Sequence, residues 1–289
     1  MRQPHPTLLL VVVPALAAGA SCEARPAVGQ VTPVLERYDL GAPAGRFEMP
    51  GRLAEISGLA MDGEGRLFAH DDERARIHEI DVRTGEVGRR FSLQGDVRGD
   101  FEGIAIAGER FFMITSQGLL YEFREGTEGA EVAYRVTDTG LGASCEVEGL
   151  DHDPADDVLY LGCKRASPDQ GMIVVHRLPL DPARARLDPL HVARSQLAAF
   201  GLDDDFQPSA VLVTPAGTLL VASAVGEMLI EVDVAGRVLA GVELDRDRHP
   251  QSEGLTIGPD GALYVSDEQN DQGAQVTIYR PLRGGGGGA

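Results

Sequence analysis

One short pattern returns five times along the chain and limits the folds open to it. It reads Ile56-Ser57-Gly58-Leu59-Ala60, Phe101-Glu102-Gly103-Ile104-Ala105, Val147-Glu148-Gly149-Leu150-Asp151, Pro208-Ser209-Ala210-Val211-Leu212 and Ser252-Glu253-Gly254-Leu255-Thr256. Measured at the small central residue, the intervals are 45, 46, 61 and 44 residues. A fixed period of this length marks a repeat architecture, in which each unit buries its apolar faces against its neighbours.

Each opening is followed by a turn and a second apolar run. Asp62-Gly63-Glu64-Gly65 leads to Leu67-Phe68-Ala69-His70, and Pro259-Asp260-Gly261 leads to Leu263-Tyr264-Val265-Ser266. Such pairs read as hairpins. Third runs follow, such as Ile77-His78-Glu79-Ile80, Leu120-Tyr121-Glu122-Phe123 and Leu229-Ile230-Glu231-Val232. Fourth runs appear at Gly88–Phe91, Glu131–Tyr134 and Val238–Gly241. Four strands in roughly 45 residues is the period of a β-propeller blade. The expectation is an all-β chain forming a single β-propeller of five blades, with six as the alternative count. The fifth unit runs out after three strands, so Val34–Leu40 is expected to supply its missing outer strand and close the ring. The long interval places an insert with a short helix at Asp181–Leu202. Gly58, Gly103, Gly149, Ala210 and Gly254 are expected on the innermost strands, where crowding around the axis leaves no room for larger side chains.

Composition narrows the partners. The 289 residues include 26 Lys and Arg against 45 Asp and Glu, a formal net charge of −19. Nucleic-acid binding needs clustered cations on the phosphates, so it is disfavoured. An acid excess suits a soluble particle or a binder of divalent cations.

The ends read differently from the middle. Leu8–Ala18 is an apolar run behind Arg2 and His5, followed by Gly19, Ala20, Ser21 and Cys22. At eleven residues it is too short for a membrane span of about 20. It has the form of a secretory signal over residues 1–22. Two processing routes stay open: cleavage after Ala20, or cleavage after Ser21 with lipidation of Cys22. The second rests on a resemblance to a bacterial lipobox, with Gly19 where that motif usually has Leu. Residues 23–33, with Pro26 and Pro33, read as a tether. Residues 34–282 form the propeller, and 283–289 are a Gly-rich tail expected to lack order. The mature chain is therefore expected to be exported and held at a bacterial envelope membrane only through its N-terminal lipid. Export would permit a bridge between Cys145 and Cys163, which flank a predicted hairpin. Two buried free thiols are the alternative.

The ordered motifs carry a resemblance. The openings at Ile56–Ala60, Phe101–Ala105, Val147–Leu150 and Ser252–Leu255, with Leu67-Phe68-Ala69-His70-Asp71-Asp72-Glu73 and Leu263-Tyr264-Val265-Ser266-Asp267-Glu268, resemble the SdiA-regulated (YjiK-type) family of bacterial envelope proteins over about residues 52–281. That resemblance implies a five-bladed propeller, distantly like NHL-repeat proteins, with a calcium site and no assigned activity. The chain departs from the pattern at Thr115-Ser116 and Ser223-Ala224, where the family would have acidic residues.

The strand order itself suggests where a cation would sit. The start of an inner strand and the end of its antiparallel partner lie on one face of the disc. Glu102, Glu148 and Glu253 should then share one mouth of the channel with Asp71, Asp72, Asp267 and Glu268. Converging carboxylates repel unless protons, basic side chains or a cation intervene. Calcium takes six to eight oxygens, whereas zinc prefers Cys and His donors, of which this mouth has few. The competing reading is that each glutamate caps backbone N–H groups or pairs with Lys164 or Arg165. His70, His152 and His249 are weaker candidates, better read as packed or surface residues.

Two functions follow. One is a calcium-binding, non-enzymatic module that presents a disc face to a small molecule or an envelope protein, expected as a monomer. The other is a metal-dependent hydrolase of lactonase, phosphotriesterase or phytase type using the carboxylate mouth. Six-bladed lactonases hold their ion partly through asparagine, and Asn270 is the chain's single asparagine. No nucleophile elbow, zincin helix or P-loop is present.

Overall fold

The computed structural model describes residues 32–168, 170–269 and 273–282. The signal segment, the Cys22 lipidation position, the tether up to residue 31 and the glycine tail lie outside the described residues. Among the described residues, no helix is long and apolar enough to cross a membrane.

Five antiparallel sheets stand around one axis. Blade 1 comprises Ile56–Met61, Leu67–Asp71, Arg76–Ile80 and Val87–Leu93. Blade 2 comprises Phe101–Ala107, Arg110–Thr115, Leu119–Arg124 and Tyr134–Asp138. Blade 3 comprises Cys145–Asp153, Val158–Ala166, Met172–Pro179 and Leu190–Ala193. Blade 4 comprises Ala210–Val213, Leu219–Ser223, Met228–Val232 and Val238–Glu243. Blade 5 comprises Ser252–Ile257, Leu263–Asp267 and Gln275–Tyr279, and takes Gly45–Glu48 as its outer strand. The fold is an all-β propeller of five blades.

The apolar residues divide into five clusters, one between each pair of neighbouring blades. Leu59, Ala69 and Ile80 of blade 1 pack on Ala262, Tyr264 and Val276 of blade 5, so the closing interface is built like the others. Each strand alternates its side chains between two faces, and in a radial stack both faces are buried. That explains fully buried runs such as Leu219–Ser223 and Leu263–Asp267.

Closure differs in detail from the sequence expectation. Gly45–Glu48 pairs antiparallel with Gln275–Tyr279, with Gly45 opposite Ile278 and Glu48 opposite Gln275. Leu35–Arg37 is instead a 3-10 turn, and Tyr38 makes a single bridge to Pro281. Buried Glu231 holds that turn by accepting the Leu35 N–H at 2.7 Å. The expected insert of blade 3 contains the blade's fourth strand, Leu190–Ala193, followed by a 3-10 turn, Arg194–Phe200. In blade 2 the outer strand lies three residues beyond the expected start. Glu131–Val132 instead extends blade 1, pairing parallel with Ser92 and Leu93.

The axis is tight. A β-carbon on Gly103 would stand 2.7 Å from the Leu150 backbone nitrogen of the next blade. Gly149 has φ +80°, and its β-carbon would stand 2.7 Å from the Val211 nitrogen. The space left along the axis, lined by Gly58, Gly103, Gly149, Ala210 and Gly254, is only about 10 Å³. That is at the lower limit for a single water.

Candidate functional site

A recurring irregularity in the inner strands aims the site. In blade 1 Ile56 pairs with Asp71 and Gly58 with His70, leaving Ser57 as the extra residue of a bulge. The same register shift skips Glu102 in blade 2 and Glu253 in blade 5. A bulge bends the strand and redirects the side chain that loses its partner. Blade 3 places its shift one residue later, so Glu148 keeps a partner in Gly162 and Gly149 is the extra residue.

These devices bring Glu102, Glu148 and Glu253 within electrostatic reach of one another at one end of the channel. Glu148 is 3% exposed and Glu253 is 8% exposed. Lys164 lies among them: its Nζ donates to Glu148 Oε1 at 2.9 Å, and its charge is felt by all three glutamates. Glu102 accepts from Ser57 Oγ at 2.9 Å, while Ser116 Oγ donates to neighbouring Asp100 at 2.5 Å. Glu253 Oε2 is buried without a hydrogen-bond partner.

Burial and crowding together push these carboxyls upward. Burial, then the charges of Glu148 and Asp100, raises Glu102 to about 9. Glu253 is raised to about 8, by burial and then by Glu268 and Glu102, against the pull of Lys164. Glu148 is raised to about 7 by burial and Glu253, with Lys164 opposing.

The aspartates lie elsewhere. Asp267 is fully buried, accepts from His249 Nδ1 at 2.8 Å and from Ser252 Oγ at 3.1 Å, and so is withdrawn from the mouth. Asp71 turns onto the backbone of its own loop, accepting from Arg74 N at 3.1 Å. Asp72 belongs to a neighbouring acidic group with Glu55 and Glu268, where burial and Glu55 raise it to about 7. Glu268 connects the two groups through its effect on Glu253 and accepts a hydrogen bond from Gln251.

Of the basic residues, Lys164 pairs with the site, whereas Arg165 pairs with Glu146 at 2.9 Å. Among the histidines, His152 bonds Asp157 at 3.0 Å, and His249 lies between Asp267 and Tyr279 Oη. His70 is buried beside the axis; its Nε2 would meet a β-carbon on Gly58 at 2.6 Å. Asp203, Asp204 and Asp205 are exposed. Ser57, Asp100, Ser116 and Glu55 were not among the sequence candidates. Ser57 was within reach of the pattern, because it holds in blade 1 the place that Glu102, Glu148 and Glu253 hold in theirs.

These donors suit a hard divalent cation. They are oxygens, they carry more negative charge than Lys164 balances, and one buried oxygen has no partner. The three glutamates are not already drawn into a tight cage. Among the described residues, the only group of three or more Cys, His, Asp or Glu side chains with ligand atoms all within 4.8 Å is Cys145, Cys163 and His176, in blade 3.

The comparisons agree with the architecture. The chain is similar to glutaminyl cyclase from Myxococcus xanthus, with 16% identity and TM-score 0.58 over 83% of this chain and 95% of that one. A luciferin-regenerating enzyme is similar at 14% identity and TM-score 0.53, over 83% of this chain and 96% of that one. Aldose sugar dehydrogenase from Streptomyces coelicolor is similar at 12% identity and TM-score 0.52, over 83% and 99%. At such identities the likeness concerns the fold alone. None of the curated proteins matches the sequence. The sequence profile described as SdiA-regulated matches residues 44–271, which hold nearly all of the propeller and every residue of the glutamate mouth. The chain belongs to the SdiA-regulated family.

Proposed function

We propose that the glutamate mouth binds calcium, and that the protein is a calcium-stabilised binding module of the bacterial envelope rather than a catalyst. The carrying observation is the mouth itself: Glu102, Glu148 and Glu253 gathered around one lysine, with Glu253 Oε2 buried and unpartnered. A divalent cation would replace the protons these carboxyls otherwise retain, and would supply the partner that Glu253 Oε2 lacks. Glu102, Glu148 and Glu253 would hold it, with Asp100 adjoining and Glu268 further out.

The narrow axis favours a structural ion over a catalytic one. With about 10 Å³ of free space between the inner strands, a substrate has no route into the channel behind the mouth. A ligand or envelope protein would instead meet the disc face. The proposal places the protein outside the cytoplasm, anchored by a lipid on Cys22, and the apolar run Leu8–Ala18 ahead of that cysteine supports this placement.

Metal analysis of purified protein, paired with melting curves in calcium and in chelator, tests the ion. One calcium per chain and a higher melting temperature with calcium are expected, and both should be lost in Glu253→Gln. Absence of bound ion and of any shift would overturn the calcium site. A screen of lactones and phosphate esters tests the module reading. Calcium-dependent turnover that disappears in Glu148→Gln would make the protein an enzyme.

A further inference from the structure

Blade 3 carries a second group of ligand-type side chains, on the same strand pair as Glu148 and Lys164. Cys145 opens the inner strand, Cys163 lies on the second strand and His176 on the third. Register explains why they meet. Cys163 stands opposite Val174, and Leu161 opposite His176, so His176 lies diagonally across from Cys163 on the same face. On the other side Val147 pairs with Cys163, and Cys145, two residues before Val147, shares its face; Lys164 is the extra residue of a bulge in the facing strand. The two sulfurs are joined in a disulfide with a Cα–Cα distance of 5.5 Å. Both cysteines are buried, at 4% and 3% exposure, against Leu161 and Val174.

The third member is what makes the group more than a structural bridge. The sulfurs and a ring nitrogen of His176 all lie within 4.8 Å of one another. His176 lines a surface cavity of about 220 Å³ together with Met172 and His191. Neither ring nitrogen of His176 makes a hydrogen bond among the described residues. A closing disulfide needs only its two cysteines. An imidazole within 4.8 Å of both sulfurs, with more nitrogen and sulfur donors along the cavity that the imidazole lines, is the donor set of a zinc-type site.

We infer that Cys145, Cys163 and His176 form a redox-gated site for a d10 cation of the zinc type, closed while the disulfide stands and opened by its reduction. A dithiol or phosphine reductant gives two electrons to the S–S bond. A dithiol passes its two protons to the sulfurs and becomes a disulfide; a phosphine takes its oxygen from a water molecule, whose two protons go to the sulfurs, and becomes a phosphine oxide. Zinc then displaces the two thiol protons and binds both thiolates and the neutral imidazole. Donors of tetrahedral zinc lie about 2.0–2.3 Å from the metal, hence roughly 3.3–3.8 Å from one another. Reaching that spacing takes side-chain rotation: the sulfurs, joined in the disulfide, must separate, and the imidazole already lies within 4.8 Å of both. The cavity gives a fourth donor access, either water or the side chain of Met172 or His191. Thiolate and imidazole donors select such a cation over calcium, so this site and the glutamate mouth divide hard and soft metals between them.

The test uses the full-length protein, oxidised or reduced with a phosphine, in excess calcium so that the carboxylates do not compete. Zinc bound after gel filtration is counted by elemental analysis, and Co2+ serves as a spectroscopic substitute. The reduced protein should hold one zinc per chain more than the oxidised protein and release about two protons. Its cobalt form should show thiolate-to-metal charge transfer with tetrahedral d–d bands. His176→Ala, which retains the disulfide in its oxidised form, should bind zinc at least tenfold more weakly once reduced. Cys145→Ser/Cys163→Ser should not bind it. Equal zinc uptake by oxidised and reduced protein would overturn the inference, as would a cobalt spectrum without thiolate bands. Unchanged affinity in His176→Ala would overturn it too. Glu253→Gln, which should abolish calcium binding at the mouth, should leave zinc uptake intact, so either site can fail without the other.

Discussion

Three single substitutions, two at the axis and one in a hairpin turn, separate the two costs that an added β-carbon imposes. Gly103 lies outside the left-handed region, but its β-carbon would stand 2.7 Å from the Leu150 nitrogen. Gly108 has φ +61° with nothing within 4 Å. Gly149 combines both, with φ +80° and the Val211 nitrogen at 2.7 Å. Alanine at Gly108 should therefore cost only the left-handed penalty, about 1 kcal/mol. At Gly103 it should cost about 1–3 kcal/mol of overpacking, because the obstructing atoms are backbone in a closed ring and cannot rotate away. At Gly149 the two add, to about 2–4 kcal/mol. For a domain of this size, roughly 2–4 °C of melting temperature accompanies each kcal/mol, so falls of about 3, 6 and 9 °C are expected in that order. Thermal melts followed by circular dichroism, with calcium held constant, would measure them. If Gly103→Ala melted at or above the wild-type temperature, direct contact between the inner strands could not explain the glycine.

Other outcomes follow from the site and the bridge. The raised carboxyls mean that the folded protein holds more protons than the unfolded chain from about pH 4.5 to pH 9. Their contribution to stability is therefore complete below the unfolded value and is lost as pH rises; melting temperature in chelator should fall across that window, and saturating calcium should flatten the fall. Lys164→Met leaves Glu148 buried without its 2.9 Å partner and should lower stability in chelator by about 1–3 kcal/mol, with a smaller loss in calcium, as parallel melts would show. Reducing the bridge, whose cysteines are 18 residues apart, should cost about 3 kcal/mol by loop entropy in metal-free buffer, read as a lower urea midpoint with phosphine present.

The propeller was legible because its signal is repeated. Crowding at the axis demands a small residue once per blade, so Gly58, Gly103, Gly149, Ala210 and Gly254 report the same physical constraint in five places. Peripheral strands lack such a constraint. Leu190–Ala193 follows Pro182 and Pro189 in a polar stretch, and its identity as a strand comes from pairing with Met172–Val175 rather than from its own composition. The outer strand of blade 5 was sought in the more apolar Val34–Leu40, yet Gly45–Glu48 takes the place because Leu35–Arg37 is held as a turn by Glu231. At the mouth, the glutamates could be found because they share one repeat position. Asp267 could not be excluded by sequence, since the residue that claims it, His249, stands 18 positions away. Nor does composition mark the bulges that aim Ser57, Glu102 and Glu253, because a bulge is a property of the strand pair.

The outer strand of the last blade comes from the beginning of the chain, and this sets a clock on assembly. Gly45–Glu48 must wait for Gln275–Tyr279, more than two hundred residues later, before its hydrogen bonds have a partner. At ribosomal speeds of about 5–20 residues per second, that wait is roughly 10–45 seconds. Blades 1 to 4 each draw their four core strands from one contiguous stretch and have the means to form as they emerge, but the seam seals last. Until then the growing chain shows two open flanks, the blade 5 side of blade 1 and whichever blade was made most recently. A chaperone that covers those flanks, or export before they meet, would suit a ring whose first and last strands are neighbours.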